Sequence, residues 1–267
     1  MSFVDHAESF PGLVARLRAA GCVFAEDEAE LLLAEARSAA ELEDLLERRV
    51  GGQPLEYVLG WALFCGLRMH VEPGVFVPRR RTEALVREAA GLAELAGSGS
   101  IVVDLCCGTG AVGAALLSAR PALGLDLTAA DLDPVAVRCA RVNLPGRHVV
   151  EGDLFAPLPA ALRGRVALLL VNAPYVPTGS IERMPPEARE HEHRLALDGG
   201  SDGLDVQRRV AAAATGWLAP GGHLLIETSA RQAPVTSALF ARHGLLPRTV
   251  HHEDVDGTVV IGTRPRA

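Results

Sequence analysis

The chain has 267 residues, of which 49% are hydrophobic and 22% are charged, and its formal net charge at pH 7 is −7. These values are ordinary for a folded protein. The net negative charge provides no overall positive potential to attract nucleic acid, so stable nucleic-acid binding is not expected. No apolar run approaches the roughly 20 residues that cross a bilayer, and the first ten residues lack the features of a secretory signal. We therefore expect a cytoplasmic protein without a membrane partner.

The cysteines and histidines do not have the spacing of a metal site. The five cysteines are scattered and none forms a C-x-x-C pair, which argues against a zinc site and a disulfide framework. His191 and His193 flank Glu192, but a zinc site needs a further ligand and none lies nearby in the sequence. We predict no bound metal.

Short amphipathic helices are predicted over the first part of the chain, to about residue 50. Leu13, Leu17 and Ala20 lie on one apolar stripe of the first helix. Ser38 and Glu41 have the spacing of a capping box at the start of a later helix. We predict a small helical domain over residues 1–53, too small to hold a large core alone.

The apolar runs YVLGWALFCG and LRMHVEPGVFV predict a β-hairpin, which we take as a linker over residues 54–77. From residue 78 to 267, short strands alternate with helical stretches, which predicts an α/β fold with a doubly wound, mostly parallel sheet of seven strands. The last two strands are joined through Asp256 and Gly257, a tight-turn pair, so the final strand is expected to be antiparallel.

A glycine-rich loop follows the first strand of this sheet. Asp104 closes the strand, Gly108 and Gly110 make the turn, and Gly113 begins the next helix. Such a loop lies at the crevice where open α/β sheets bind nucleotides, because its backbone N–H groups are free and glycine allows close approach. The spacing also matches the dinucleotide fingerprint, so NAD or FAD is a possible ligand at this stage.

Acidic residues end the next two strands. Asp131 and Leu132 follow the second strand, and Asp153 and Leu154 follow the third. A carboxylate at the first position can accept hydrogen bonds from ribose hydroxyls, and the second position is where an adenine ring would lie. The alternative is that each acid caps a helix, since Asp131 precedes a helix that begins with proline.

The fourth strand is followed by VNAPYVP, which places Asn172 at the same edge of the sheet. An asparagine at a strand end is often only a turn residue. Here Asn172, Ala173, Pro174 and Tyr175 lie beside the predicted nucleotide crevice, where an amide and an aromatic ring in a stiff loop could grip a planar, nitrogen-bearing substrate.

These motifs together resemble the release-factor methyltransferase family, the protein-(glutamine-N5) methyltransferases, whose signature after the fourth strand is Asn-Pro-Pro-Tyr. Four segments are similar to the family's linker and cofactor lid, cofactor loop, insert and fifth strand: residues 54–86, 102–116, 191–210 and 219–232. The resemblance implies a class I, Rossmann-like methyltransferase that uses S-adenosylmethionine and releases S-adenosylhomocysteine. It implies transfer to a glutamine side-chain amide of a protein, with residues 1–53 helping to recognise that protein.

The resemblance also implies residue roles. The side-chain oxygen of Asn172 and the carbonyl of Ala173 would accept the two N–H groups of the substrate amide and orient its nitrogen towards the methyl group. Tyr175 would pack on the planar amide and the cationic sulfonium, and Pro174 would keep residue 173 extended. The implied cofactor-binding residues are Arg79, Thr82, Asp104, Cys106, Gly108, Gly110, Asp131, Leu132, Asp153, Leu154 and Asn172.

The chain departs from the family pattern at several points. Ala173 replaces a proline of the catalytic loop, Arg80 and Arg81 replace a proline and a carboxylate, and His193 replaces a proline of the insert. The N-terminal helical part is shorter than the family's usual one. We therefore expect a divergent member, for which a release factor is a possible but less favoured substrate.

Other functions fit some of these features. The same fold and cofactor could methylate a nucleobase amino group or a small molecule, since both present planar nitrogens to an Asn-x-Pro-aromatic loop. An NAD-dependent dehydrogenase would explain the glycine loop but would leave Asn172 without a role. A catalytically idle scaffold is supported only by Ala173 and the short N-terminal part.

Overall fold

The computed structural model describes residues 10–266. The first nine residues, which were part of the stretch examined for a secretory signal, lie outside this range. The α-helices are α1 (Phe10–Ala19), α2 (Ala25–Glu35), α3 (Ala39–Val50), α4 (Leu55–Leu59), α5 (Glu83–Ala96), α6 (Ala111–Ala119), α7 (Pro134–Asn143), α8 (Pro186–His191), α9 (Asp205–Ala214) and α10 (Ala233–Arg242). The strands are β1 (Trp61–Phe64), β2 (Leu67–His70), β3 (Ile101–Leu105), β4 (Asp126–Asp131), β5 (His148–Glu151), β6 (Val166–Val171), β7 (Leu218–Thr228), β8 (Leu246–His252) and β9 (Gly257–Thr263).

Seven strands form one sheet in the order β5-β4-β3-β6-β7-β9-β8. The first five of these are parallel, and β9 is antiparallel to both of its neighbours. The predicted doubly wound α/β fold and its antiparallel last strand are confirmed. The strand order reverses direction between β3 and β6, and in such sheets this switch point opens a crevice at the carboxyl ends of the strands.

The helices α1 to α3 pack around their own apolar cluster, which includes Leu13, Leu17 and Leu46. Ser38 caps α3 by accepting a hydrogen bond from the Glu41 backbone N–H, as the capping-box spacing predicts. The first apolar stripe was wrong at Ala20, which is exposed, because α1 ends one residue earlier and the chain turns away there.

The predicted hairpin is shorter than its apolar runs. Strands β1 (Trp61–Phe64) and β2 (Leu67–His70) pair antiparallel. Tyr57 lies in α4 rather than in a strand. Pro54 stands at the start of this helix and Gly60 ends it in a left-handed conformation, so the apolar run is divided. The chain after β2 is irregular because it passes through Pro73 and Gly74.

The large sheet is covered on both faces by apolar clusters. One face packs under α5 and α6, with Leu85 and Leu116 fully buried, and the other packs under α9 and α10, with Val210 and Phe240 fully buried. Among the described residues, no helix is both long and apolar enough to cross a membrane. The division at residues 53 and 77 stays a prediction.

Candidate active site

A cavity of about 740 Å³ opens at the carboxyl ends of β3, β4, β5 and β6. It is the site at which the predicted residues meet. Those that line it are Arg79, Thr82, Cys106, Gly108, Asp131, Leu132, Asp153, Leu154, Asn172, Ala173, Pro174 and Tyr175. Two predicted cofactor-binding residues, Asp104 and Gly110, are not among them.

Asp104 lies beneath the glycine loop. Its side chain is almost fully buried, and its Oδ2 accepts a hydrogen bond from the Gly113 backbone N–H at 3.0 Å. Burial raises the pKa of Asp104 to about 7, and the Gly113 hydrogen bond opposes this shift. Asp104 does not line the cavity and ties the end of β3 to the first turn of α6, and its predicted role in cofactor binding stays a prediction.

Gly110 allows close packing against the neighbouring helix, and its predicted role in cofactor binding stays a prediction. It has a φ of +75°, and a Cβ there would come within 2.8 Å of Leu144 and 3.2 Å of Ala140, both on the α7 side. Gly108 differs, because a Cβ built on it meets nothing within 4 Å. The backbone at Gly108 thus faces the open cavity, and Gly110 lets the loop lie close to the neighbouring helix.

Asp131 holds the glycine loop from the adjacent strand. One carboxylate oxygen accepts a hydrogen bond from the Gly108 backbone N–H at 2.8 Å, and the other accepts from the Asp133 N–H at 2.9 Å. Burial raises the pKa of Asp131, and these two backbone hydrogen bonds oppose the shift. The helix cap considered for Asp131 belongs to Asp133, whose side chain accepts from Val135 N–H at the start of α7.

Asp153 is more exposed than Asp131 and pairs with Arg209 of α9 at 2.5 Å. The next residue, Leu154, has a φ of +49°, an uncommon conformation for a branched side chain. Strain of this kind concentrates at binding sites, because the surrounding structure must enforce it. Nothing in the sequence alone indicated the Arg209 pairing.

The loop after β6 presents its polar groups to the cavity. The Asn172 side-chain nitrogen donates to the Thr82 hydroxyl over a long 3.4 Å, while the Asn172 side-chain oxygen accepts no hydrogen bond from the described residues. Ala173 is buried, and within residues 10–266 its carbonyl is also left without a hydrogen-bond donor. Two acceptors are therefore free side by side.

Tyr175 is fixed at both its ends. Its hydroxyl donates to Glu227 Oε1 on β7 at 3.1 Å, and its backbone carbonyl accepts from Gln232 Nε2 at 3.0 Å. Burial raises the pKa of Tyr175 well above the ordinary value, and the charge of Glu227 acts in the same direction. Glu227 was missed by sequence reasoning, because an acid near the end of a strand carries no signal of its partner.

The insert between β6 and α9 forms one wall of the cavity. It is joined to the loop after β6 by backbone hydrogen bonds from Val176 N–H to the Leu197 carbonyl and from Gly199 N–H to the Val176 carbonyl. Glu192 pairs with Arg79 and accepts from the Val77 backbone N–H, which ties the insert to the segment before α5. Arg79 therefore lines the cavity with its guanidinium already engaged.

A second link joins the insert to the N-terminal helices. Arg49 of α3 is buried, pairs with Glu28 of α2 at 2.6 Å and also reaches Glu187 of α8 at 2.6 Å. Glu187 itself lines the cavity. Contacts between residues this far apart in sequence could not be read from local patterns.

One other cluster has the composition of a metal site. His70, Glu72 and Cys139 bring their possible ligand atoms within 4.8 Å of one another, away from the cavity. Arg138 pairs with Glu72 at 3.0 Å, which already supplies this carboxylate with a positive charge. We assign no function to the cluster.

Comparison with known proteins identifies the family. Residues 67–184 match the model of the methyltransferase small domain. A release factor glutamine methyltransferase of Geobacter sulfurreducens is 39% identical over 210 residues, covering 77% of this chain and 71% of that protein. The chain belongs to the release factor glutamine methyltransferase family. It is thus an S-adenosylmethionine-dependent methyltransferase with a Rossmann-like fold.

Two other relatives bear on the length of the chain and on the class of substrate. A release factor glutamine methyltransferase of Cereibacter sphaeroides is 34% identical over 273 residues, covering 94% of this chain and 95% of that protein. A 4-amino-L-phenylalanine/4-methylamino-L-phenylalanine methyltransferase of Streptomyces pristinaespiralis is 39% identical over 208 residues, covering 74% of this chain and 69% of that protein. Identity alone therefore does not separate a protein substrate from a small one.

The residues present fit S-adenosylmethionine. The open backbone face at Gly108 permits close approach of a ligand, and the Asp131 carboxylate borders the same cavity. Leu132 and Leu154 add apolar side chains beside it, as an adenine ring requires. The free acceptors of the Asn172 loop line the same cavity.

Proposed function

We propose that the protein methylates the side-chain amide nitrogen of a glutamine in a protein substrate. The observation that carries this proposal is the pair of free acceptors, the Asn172 side-chain oxygen and the Ala173 carbonyl, on the cavity wall. A carboxamide has two N–H donors in one plane and a nitrogen lone pair delocalised into its carbonyl. Two adjacent acceptors match this geometry and favour the orientation in which the nitrogen is most reactive.

The cofactor would be held on the opposite side of the cavity. Asp131 would accept from ribose hydroxyls, Gly108 would border the amino-acid part, and Leu132 and Leu154 would flank the adenine. Bound there, S-adenosylmethionine supplies an electrophilic methyl group. The Tyr175 ring would present an aromatic face towards the cationic sulfonium and the substrate amide.

A second candidate function is N-methylation of a small aromatic amine that carries a carboxylate. It is favoured by the similarity to the 4-amino-L-phenylalanine methyltransferase. Arg81 and Arg183 also line the cavity without an ion-pair partner among the described residues, so a small anionic substrate would find cations there. The family's carboxylate at position 81 would repel such a substrate.

The two functions are separated by offering both substrates to the purified enzyme with S-adenosylmethionine. One probe is an intact bacterial release factor with its Gly-Gly-Gln loop, and the other is 4-amino-L-phenylalanine. The proposal expects the release factor to gain the mass of one methyl substitution, which tandem mass spectrometry assigns to a glutamine. Transfer to the free amino acid with none to the protein would refute the proposal and establish the second candidate.

The proposal also gives roles to the parts of the chain. Residues 1–53 would contact the protein substrate, residues 54–77 would link them to the sheet, and residues 78–267 would carry out transfer. The near full-length match to the Cereibacter enzyme supports a release factor as the first substrate to test. Both the cofactor and such a substrate are met in the cytoplasm, where we propose the enzyme acts.

A further inference from the structure

Glu227 lies next to the active site but behind its wall. It follows Ile226, which pairs with Val171 at the end of β6, so Glu227 and Asn172 stand at the same edge of the sheet. Its exposed fraction is only 2%, and it does not line the cavity. Burying a carboxylate in this way costs folding free energy unless the group is paired and hydrogen-bonded.

Glu227 contacts a residue that does line the cavity. Tyr175 donates its hydroxyl to Glu227 Oε1 at 3.1 Å. The second oxygen, Oε2, is buried without a hydrogen-bond partner among the described residues. The carboxylate thus holds Tyr175, the aromatic side chain of the loop after β6, from behind the cavity wall.

We infer that Glu227 is a positioning residue for methyl transfer, whose carboxylate holds the Tyr175 hydroxyl and so fixes the orientation of the Tyr175 ring in the cavity. The catalytic consequence rests on the proposed function. The link between Glu227 and Tyr175 does not, and it can be tested without any substrate.

The electrostatics indicate that Glu227 is not a carboxylate for the sake of folding stability. Burial raises the pKa of Glu227, while Thr82, Tyr175 and the charge of Arg81 oppose the shift without cancelling it. Arg81 and Tyr175 are the titratable or charged groups that act on it, one from the segment before α5 and one from the catalytic loop. A glutamine would fill the same space at lower cost, and perturbed acids of this kind are concentrated at functional sites.

The first experiment uses the tyrosines as probes. The chain has only two, Tyr57 and Tyr175, so protein labelled with 3-fluorotyrosine gives two ¹⁹F signals, assigned with Tyr57→Phe. The Tyr57 hydroxyl donates to the Val75 carbonyl and serves as an internal reference. We expect the Tyr175 signal to shift with pH above the ordinary glutamate value of 4.5, and to stay constant in Glu227→Gln. A Tyr175 signal that titrates identically in both proteins overturns the inference.

The second experiment measures methyl transfer to the release factor and to 4-amino-L-phenylalanine. Relative to wild type, we expect kcat to fall about 5–10-fold in Glu227→Gln, which keeps one acceptor, and about 100-fold in Glu227→Leu, which keeps none. The KM for S-adenosylmethionine should stay within about twofold. Because Gln resembles protonated Glu, the wild-type rate should fall at acid pH to that of Glu227→Gln.

These outcomes separate positioning from simple structural support. If Glu227→Leu keeps the wild-type kcat, or loses cofactor affinity in parallel with kcat, Glu227 does not position the catalytic loop. If the wild-type enzyme methylates neither probe, the proposed function fails, and the ¹⁹F titration alone decides whether Glu227 controls Tyr175.

Discussion

Asn172 is the residue on which the proposed chemistry depends most directly. Replacing it with alanine removes the free side-chain acceptor from the cavity wall, and losing one such preorganised contact commonly lowers kcat about 10²–10³-fold. Asn172→Asp keeps an acceptor oxygen, so it should retain some activity. Isothermal calorimetry should show S-adenosylhomocysteine binding nearly unchanged in both variants. Wild-type rates in Asn172→Ala would make Asn172 a turn residue only.

Asp104 predicts a pH dependence of stability that the sequence did not suggest. Its pKa is about 7 in the folded protein and 3.8 for a free side chain. Between these two pH values the folded state therefore binds one proton more than the unfolded state. The free energy of unfolding should therefore fall as pH rises from about 4 to about 7, by at most about 4 kcal/mol. In Asp104→Asn this decline should be smaller, because the amide does not titrate in this range, while its oxygen can still accept from Gly113.

Urea unfolding of the cofactor-free protein at pH 5 and pH 8 measures this effect. The matched control is Asp126→Asn, which alters an exposed carboxylate at the start of β4. Its unfolding curves should follow those of the wild type at both pH values. The account of Asp104 is wrong if its variant loses as much stability between the two pH values as the wild type does.

Among the elements, α8 connects the N-terminal helices to the cavity through the ion pair between Glu187 and Arg49. Glu187→Gln should loosen this wall while the buried pair between Arg49 and Glu28 persists. We expect the KM for the protein substrate to rise several-fold, with cofactor affinity unchanged, because Glu187 is tied to the N-terminal helices, to which the proposed function assigns the protein substrate. Glu190→Gln on the same helix removes an exposed pair with Arg189 and should change neither constant.

The elements were mostly predictable because their signals are local. Short strand-like runs that alternate with helical stretches predicted all seven strands of the large sheet, and Ser38 with Glu41 predicted the start of α3. Tyr57 was misassigned because apolar content alone does not distinguish a one-turn helix from a strand. The helix is set by Pro54 and Gly60, which bound it on either side.

Cavity residues could be predicted where they follow the end of a strand. They could not be predicted where their role depends on contacts with residues distant in sequence. Asp131 and Asn172 were found because parallel strands bring their carboxyl ends to one edge. Asp104 and Gly110 share the same motif, yet both turn towards the protein interior. Glu227 could not be predicted for a different reason, since its inferred role depends on a hydrogen bond with Tyr175, which is distant in sequence.

In the whole molecule, the class of substrate determines which surfaces are contacted. A small amine needs only the cavity, whereas a protein must also rest on the surface around it. The N-terminal helices are tied to the cavity wall through Arg49, so a substrate bound to them could be aligned with Asn172. The expectation from sequence that a release factor is a poorer substrate therefore depends on the surface of these helices.

The turn between α1 and α2 offers a test of that surface. Val23 and Phe24 are 82% and 68% exposed, an apolar pair that a protein substrate could cover. The double variant Val23→Ser/Phe24→Ser should lower kcat/KM for the release factor about tenfold, the scale of an apolar contact at an interface, and leave 4-amino-L-phenylalanine methylation unchanged. Folding should not suffer, because serine at position 24 stands where a helix cap is favoured.

The matched control is Leu95→Ser, an 83% exposed residue near the end of α5. It removes a comparable apolar surface from a different element, so its kcat/KM should match wild type for both substrates. If the double variant and the control methylate the release factor equally well, the turn between α1 and α2 does not contact the substrate. A fall for both substrates in the double variant alone would instead mean that the turn supports the cavity, because a small amine has no reason to reach that surface.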